Sequence, residues 1–264
     1  MDVKTQSQQD VVDPARARAL QATLGRVPDI RHGDPLPDFY HHVYFWDPQP
    51  PDRLGRDGHP KTGGLIPDFG LSRRMWAGGA LEFHTPVIAG QKAEKRTCLE
   101  KAERKQGRSG PLALVTLRHE IWQNGICAVT ELQDLVYRDI DGAGARPSPP
   151  RTQERAERLR DVHFDTTLLF RYSALSFNGH RIHYDLGYAT HTESYVGLVV
   201  HGPLLAQLLM DEATVAFGRL KTFEFRLTAP LIVSESAKLC VNGDGRAWVE
   251  GPDRRLCLTA QATT

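Results

Sequence analysis

The sequence is poor in cysteine, almost without net charge, and free of long apolar runs. Its four cysteines are widely separated and form no CxxC pair, so neither a zinc signature nor a disulfide framework is present. The formal charge of +1 creates no global field that would attract nucleic acid or an anionic membrane. No apolar run approaches the roughly 20 residues that span a bilayer. We therefore expect neither a nucleic-acid partner nor a membrane-embedded chain.

Several catalytic motifs are also missing. There is no Walker loop, dinucleotide fingerprint, GxSxG elbow or HExxH pair, so nucleotide hydrolysis, hydride transfer, elbow-type serine chemistry and zinc proteolysis lack support. The amino terminus has no apolar h-region and does not have the Arg-rich, acid-free composition of a transit peptide. A cytoplasmic location is therefore predicted.

The first half of the chain combines one helix, a proline-rich loop and a series of strands. Residues 13–26 have helical spacing, whereas residues 34–74 are rich in proline, glycine and aromatic residues and are expected to wrap over a core as an ordered loop. Strand patterns follow at residues 80–83, 91–103, 111–123 and 126–137. The Asn124-Gly125 pair predicts a tight hairpin. Residues 141–160 have the composition of a linker, which predicts domains 1–150 and 151–264.

The second half begins with helices and ends with strands. Helical patterns cover residues 166–176, 185–190 and 203–217, and strand patterns cover residues 220–227, 237–241, 246–250 and 256–259. A helix followed by antiparallel strands that cover it is an α+β arrangement in which a sheet wraps a central helix. Both halves end in a similar strand series, so two such units side by side would join their sheets and leave a groove between them.

The most informative stretch is Phe177-Asn178-Gly179-His180-Arg181-Ile182-His183-Tyr184-Asp185. It resembles the G-D-x-N-P-[LIV]-H motif of the MaoC-like (hydratase 2) double hotdog family, with Ile182 and His183 on the family's spacing. Asn178 stands at the usual aspartate, and His180 and Arg181 stand at the usual asparagine and proline. These departures are similar to the subgroup of itaconyl-CoA and mesaconyl-C4-CoA hydratases and mitochondrial-type 3-hydroxyacyl-thioester dehydratases.

The resemblance implies a double hotdog fold, in which two antiparallel sheets each wrap a central helix. It also implies a hydro-lyase that reversibly hydrates an α,β-unsaturated acyl-CoA to a hydroxyacyl-CoA. The subgroup favours a short branched or dicarboxylic acyl group of the itaconyl or mesaconyl type. No metal and no cofactor are expected, because coenzyme A is part of the substrate.

The chemistry assigns roles to three residues. Hydration of an enoyl thioester needs a base for water, a proton for the α-carbon and a donor for the enolate oxygen. His183 is the predicted base and would return the proton, while Asn178 would orient the water. Gly202, just before the helix 203–217, is expected to supply a backbone N–H, as an H-G dipeptide does in the family. His201 is expected to fix the loop.

Other polar residues keep two interpretations. Arg181, and less so His180, would either contact a substrate carboxylate or be solvated. Asp185 and His180 are also candidates to assist proton transfer. The basic run would either meet the phosphates of coenzyme A or form the solvated face of a hairpin; it comprises Lys92, Lys95, Arg96, Lys101, Arg104, Lys105 and Arg108. His41, His42 and Trp46 are assigned to packing or to the groove wall.

Three other functions compete with hydration of an acyl-CoA. A hotdog thioesterase would use a similar helix-end site and release free thiol, and a 3-hydroxyacyl-[acyl-carrier-protein] dehydratase would perform the same chemistry on a carrier protein. A non-catalytic acyl-thioester binding protein would not depend on His183. Because hotdog proteins often pair, a homodimer is also predicted.

Overall fold

A single antiparallel sheet of ten strands organises the part of the chain that the computed structural model describes, which is residues 4–107, 110–139 and 148–264. The order across the sheet is β1-β3-β4-β5-β2-β7-β10-β9-β8-β6, so the first five strands fill one half and the last five fill the other. The strands are β1 (Thr5–Val11), β2 (Arg73–Phe83), β3 (Lys92–Gly107), β4 (Gly110–Gln123), β5 (Ile126–Arg138), β6 (Arg158–Val162), β7 (Thr222–Leu227), β8 (Ala237–Val241), β9 (Arg246–Glu250) and β10 (Leu256–Thr263).

The two halves meet where β2 pairs with β7. The register places Gly78 opposite Arg226 and Gly79 opposite Phe225. A Cβ atom added at Gly78 would lie 2.5 Å from the carbonyl oxygen of Phe225, and one added at Gly79 would lie 2.6 Å from that of Leu132. Glycine is therefore required at this junction, because any side chain would push the neighbouring backbones apart.

Three α-helices pack on the sheet or on each other: α1 (Pro14–Thr23), α2 (Thr166–Leu175) and α3 (Gly202–Phe217). The longest, α3, lies against β7, β8, β9 and β10 and buries Leu204, Leu205 and Leu209 almost completely. Each such leucine contributes roughly 1.5–3 kcal/mol of hydrophobic stabilisation. The second half therefore has the predicted arrangement of a sheet around a central helix.

In the first half, the proline-rich loop covers the sheet. Its short 3-10 helix Tyr40–Val43 begins after the buried Phe39, and His41 Nε2 lies 3.1 Å from the Glu131 carboxylate on β5. Trp46 Nε1 donates to the carbonyl oxygens of Val43 and Leu175. This confirms the prediction that residues 34–74 form an ordered wrapping segment, and it places His41 and Trp46 in packing roles.

Most of the other predicted elements are confirmed, with shifted ends. The Asn124-Gly125 turn joins β4 to β5, with φ of +52° and +77° at its two residues. The polar strand β1 was not predicted, and β6 begins inside the stretch expected to be a linker. The helix predicted near residues 185–190 is instead a π-helical turn, Tyr188–Thr192. None of the described helices is long and apolar enough to cross a membrane.

The structure describes only part of the predicted linker. Residues 141–147 of it lie outside the described residues. Arg151 forms a bridge with Arg255, and β6 pairs with β8, so residues from 151 onward associate with the second half. The division at residue 150 stays a prediction.

Candidate active site

His183 lies in a short 3-10 helix, Arg181–His183, and only 6% of its surface is exposed. Its Nδ1 is 2.7 Å from the carbonyl oxygen of Val199. A carbonyl oxygen only accepts hydrogen bonds, so Nδ1 must carry the proton and Nε2 keeps its lone pair. No described residue hydrogen-bonds to Nε2. The histidine is therefore held in the tautomer that a general base needs.

His201 packs directly on this base. The two imidazole rings stack with centroids 3.7 Å apart, and Nε2 of His201 is 2.7 Å from Ser173 Oγ on α2. The other ring nitrogen of His201, Nδ1, is buried without a hydrogen-bond partner among the described residues. A ring fixed from one side by Ser173 and stacked on His183 matches the predicted role of His201 in fixing the loop.

Gly202 is the first residue of α3, immediately after His201. The first N–H groups of a helix have no intrahelical acceptor and carry partial positive charge. Within the described residues, nothing accepts from Gly202 N, and Pro203 follows in the first turn. Stacking of His201 on His183 brings this helix end next to the base. The role of Gly202 as the backbone donor to the enolate oxygen stays a prediction.

Asn178 shapes the loop that precedes the base. Its Oδ1 accepts from the His180 backbone N–H at 3.0 Å, and its own N–H donates to the Ser173 carbonyl oxygen at 2.8 Å. The side-chain amide therefore closes a turn through its oxygen. Its NH₂ group has no protein acceptor in the described structure. The water-orienting role of Asn178 stays a prediction and would fall to this NH₂ group.

Arg181 and Asp185 form an ion pair with each other. Arg181 Nε and one terminal nitrogen donate to Asp185 Oδ2 at 3.0 and 2.7 Å, and its other terminal nitrogen donates to the Arg56 carbonyl oxygen. The guanidinium also lies 4.4 Å from the centre of the Tyr188 ring. The pair therefore braces the loop. These bonds use three of the five guanidinium N–H groups, and the predicted contact of Arg181 with a substrate carboxylate stays a prediction.

Residues of the first half lie against the loop that carries His183, and no sequence pattern identified them. The Arg181 N–H donates to the Asp57 carbonyl oxygen at 2.9 Å, and a Cβ atom at Gly58 would lie 2.0 Å from the Gly179 carbonyl oxygen. His59, held by Asp57, packs on His180 with ring centroids 4.5 Å apart. The wrapping loop is thus docked on the loop of His183.

Burial controls the protonation of these histidines. It lowers the pKa of His183 from 6.5 to about 4. Burial, followed by the neighbouring His59 and His183, lowers the pKa of His180, and burial with the neighbouring His183 and His180 holds the pKa of His201 well below its ordinary value. At neutral pH all three rings are neutral. His183 is therefore available to accept a proton.

One group in the described structure has the spacing of a metal site. The candidate ligand atoms of Asp57, His59 and His180 all lie within 4.8 Å of one another. The expected absence of a metal stays a prediction.

The described members of the basic run all lie on β3, and three of the six form ion pairs there, whereas burial lowers the pKa of Lys95, which lies near Glu131. Arg96 pairs with Glu94, and Lys101 and Lys105 both pair with Glu103. Arg108 lies outside the described residues. These pairs favour the solvated-face interpretation over contact with the phosphates of coenzyme A.

A buried neutral histidine with a free Nε2 is suited to general-base catalysis, and the comparisons with known proteins give the class of reaction. A family model for hydroxyacyl-thioester dehydratase type 2 matches residues 39–233. The chain belongs to this family. It is an acyl-CoA hydratase or dehydratase, as the resemblance at residues 177–185 predicts.

Two curated relatives agree with this assignment. The mesaconyl-C(4)-CoA hydratase of Chloroflexus aurantiacus is 40% identical over 263 residues, which cover 97% of this chain and 94% of the relative. The mitochondrial hydroxyacyl-thioester dehydratase type 2 of Schizosaccharomyces pombe is 28% identical, over 80% of this chain and 79% of the relative.

Solved structures support the fold. HtdX of Mycobacterium tuberculosis has a TM-score of 0.69 at 18% identity and covers 98% of this chain and 99% of its own. A conserved protein of the same organism with a double hotdog fold has a TM-score of 0.57 at 15% identity, over 99% and 95% of the two chains. The predicted α+β double hotdog fold is confirmed.

Proposed function

We propose that this enzyme hydrates a short α,β-unsaturated acyl-CoA that carries a second carboxylate, of the mesaconyl-C4 type; itaconyl-CoA, whose double bond is β,γ to the thioester, is the alternative acyl group. The relationship to a mesaconyl-C(4)-CoA hydratase, at 40% identity over nearly the whole chain, is the observation that carries the choice of acyl group. The geometry around His183 supports the reaction type.

In the proposed reaction, Nε2 of His183 takes a proton from water as the water oxygen bonds to the β-carbon. The electrons of the double bond move to the thioester oxygen, and the Gly202 N–H at the start of α3 stabilises the resulting enolate. The enolate then collapses, and the new N–H of His183 protonates the α-carbon. Because burial lowers the pKa of His183 to about 4, its protonated form is a strong acid that favours this last transfer.

The first experiment follows the enoyl absorbance of mesaconyl-C4-CoA and crotonyl-CoA, and product formation from itaconyl-CoA by chromatography, together with a free-thiol assay. We expect absorbance loss without thiol release, fastest for a dicarboxylic substrate and abolished in His183→Ala. Thiol release would move the assignment to a thioesterase. Activity unchanged by His183→Ala would contradict the assigned base, and no activity on any of the three would redirect the search to thioesters of carrier proteins or to a binding protein.

The family name specifies a hydroxyacyl thioester without naming its carrier, so a carrier-protein dehydratase is the second candidate. Comparing a 3-hydroxyacyl group on coenzyme A with the same group on an acyl carrier protein separates the two functions. A preference of more than about tenfold for the carrier protein would replace the proposed substrate. The homodimer and the cytoplasmic location stay predictions, to be tested by light scattering of the purified protein and by cell fractionation.

A further inference from the structure

Three side chains form a compact group where the wrapping loop (residues 34–74) meets the catalytic loop (residues 177–185). Asp57 and His59 lie on the first loop and His180 on the second, and one candidate ligand atom from each lies within 4.8 Å of the other two. Two imidazoles on one zinc ion, with Zn–N bonds of about 2.0–2.1 Å, have ring centres roughly 4.5–5.2 Å apart. The ring centres of His59 and His180 are 4.5 Å apart, so their spacing fits binding to one ion.

Asp57 fixes which nitrogen of His59 is open to a ligand. Asp57 Oδ2 lies 3.0 Å from His59 Nδ1, and a carboxylate only accepts hydrogen bonds, so Nδ1 of the neutral ring carries the proton. Asp57 Oδ1 accepts from the His59 backbone N–H at 3.1 Å. Nε2 of His59 therefore offers a lone pair, which suits a cation. A histidine that donates its other ring N–H to a carboxylate is the usual arrangement around metal ions in proteins.

His180 contributes a second imidazole without a hydrogen-bond partner. The residue is only 8% exposed, and neither ring nitrogen forms a hydrogen bond within the described part of the chain. Buried polar groups are normally paired, so this ring requires an explanation. Packing between His59 and His183, with ring centres 4.5 and 5.3 Å away, accounts for its position but not for the presence of a polar ring. An ion bound at a ring nitrogen supplies the missing partner.

The chemistry of the group selects the kind of cation. Imidazole nitrogen is a preferred ligand of Zn²⁺ and its neighbours in the first transition row, whereas Mg²⁺ and Ca²⁺ prefer sets of oxygen ligands. The carboxylate of Asp57 supplies one negative charge. The positive charge of Arg74 also acts on all three residues and weakens the binding of cations held by charge alone. Bonding to nitrogen must therefore provide most of the affinity.

We propose that Asp57, His59 and His180 form a site for one divalent transition-metal ion of the Zn²⁺ type. His59 Nε2 and a ring nitrogen of His180 are the ligands, and Asp57 orients His59 and balances charge. The ion joins the two loops where Gly58 and the Arg181 N–H already bring them together. The proposal replaces the expectation from the sequence that no metal is bound. It is independent of the acyl group and gives the ion no step in hydration.

Isothermal titration calorimetry tests the site with ZnCl₂ on the full-length protein, after dialysis against a chelator. We expect one ion per chain. Since loss of a group that supports a metal site costs about 10- to 100-fold in affinity, His59→Gln and His180→Gln should weaken binding at least that much. Asp57→Asn keeps a hydrogen-bond acceptor without the charge and should weaken it about tenfold. The matched control is His163→Gln, at an exposed histidine outside the group, which should leave the affinity unchanged.

Thermal unfolding measures whether the ion holds the two loops together. ZnCl₂ at about 100 times its dissociation constant should raise Tm by roughly 5–10 °C in the unchanged protein and in His163→Gln, but by less than about 2 °C in His59→Gln. Circular dichroism identifies variants that fail to fold. If His180→Gln is among them, His59→Gln and Asp57→Asn on the more exposed loop decide. Absence of Zn²⁺ binding, or binding that the folded His59 variant retains at full affinity, would overturn the proposal and leave the rings a packing role.

Discussion

Gly58→Ala tests whether the docked loop builds the active site. Gly58 has a φ of +89°, and the added Cβ would lie 2.0 Å from the Gly179 carbonyl oxygen, where an ordinary contact needs more than 3 Å. The two loops must therefore separate by more than about 1 Å. A displacement of that size at catalytic groups costs about 100-fold in rate, which is the loss of kcat/KM that we expect.

The same loop offers a matched control. Gly63 also has a positive φ, +104°, but a Cβ there meets no atom within 4 Å. Gly63→Ala therefore carries the backbone strain of roughly 1–2 kcal/mol without the collision. Gly58→Ala adds the loss of the hydrogen bond from Arg181 N to the Asp57 carbonyl oxygen, about 1–3 kcal/mol more.

Thermal unfolding and steady-state hydration of crotonyl-CoA measure the two effects separately. We expect Gly63→Ala to keep its activity within about twofold, and Gly58→Ala to stay folded while losing most of its activity. If the two variants had the same rate and the same stability, residues 55–59 would not support the catalytic loop, and the site would belong to the second half alone.

Three further predictions concern buried polar groups. Ser173→Ala removes the partner of His201 Nε2 and should lower the free energy of unfolding by about 1–3 kcal/mol, whereas Ser176→Ala, which loses a local bond within α2, should cost less than about 1 kcal/mol in urea unfolding. Arg73→Met removes the cation 2.7 Å from the Glu193 carboxylate, which is 2% exposed and keeps the hydrogen bond from Tyr188, and should cost about 3–5 kcal/mol; a loss under about 1 kcal/mol would contradict this. Acid should destabilise the fold, because His42, His119 and His183 have a folded-state pKa below 6.5 and bind protons more readily in the unfolded chain. Their contribution to the free energy of unfolding is fully present above pH 6.5. It falls by about 2 kcal/mol per histidine between about pH 6.5 and about pH 5. A flat stability profile over that range would show that these rings titrate normally.

The parts of the site that could be predicted are those encoded within one short segment. Asn178 and His183 lie within six residues, and Gly202 begins a helix with a proline in its first turn, so the resemblance to the family motif was enough to propose them. His59 could not be found in this way. Its contact with His180 depends on how a loop without strong periodicity docks across the fold, and no local pattern records such docking.

The fold shows the same limit. The hairpin at Asn124-Gly125 was predictable because two positive φ angles demand those residues. Strand β1 was not, because it lies at the edge of the sheet and its mostly exposed, glutamine-rich face has no apolar alternation. The charged strand β6, at the other edge, was mistaken for part of a linker for the same reason. Hydrophobic patterns in a sequence indicate which side chains are buried. Strands that bury few apolar side chains are therefore not predicted from them.

The junction of β2 with β7 limits how the enzyme can move. Hydrogen bonds between these strands run through the middle of the sheet, so the two halves cannot swing apart as rigid bodies without breaking a central ladder. A substrate therefore cannot enter by a hinge opening between domains. The wrapping loop contacts the catalytic loop through the Asp57 carbonyl oxygen, Gly58 and the ring of His59, so movement of this loop, and not of a whole half, would open the surroundings of His183.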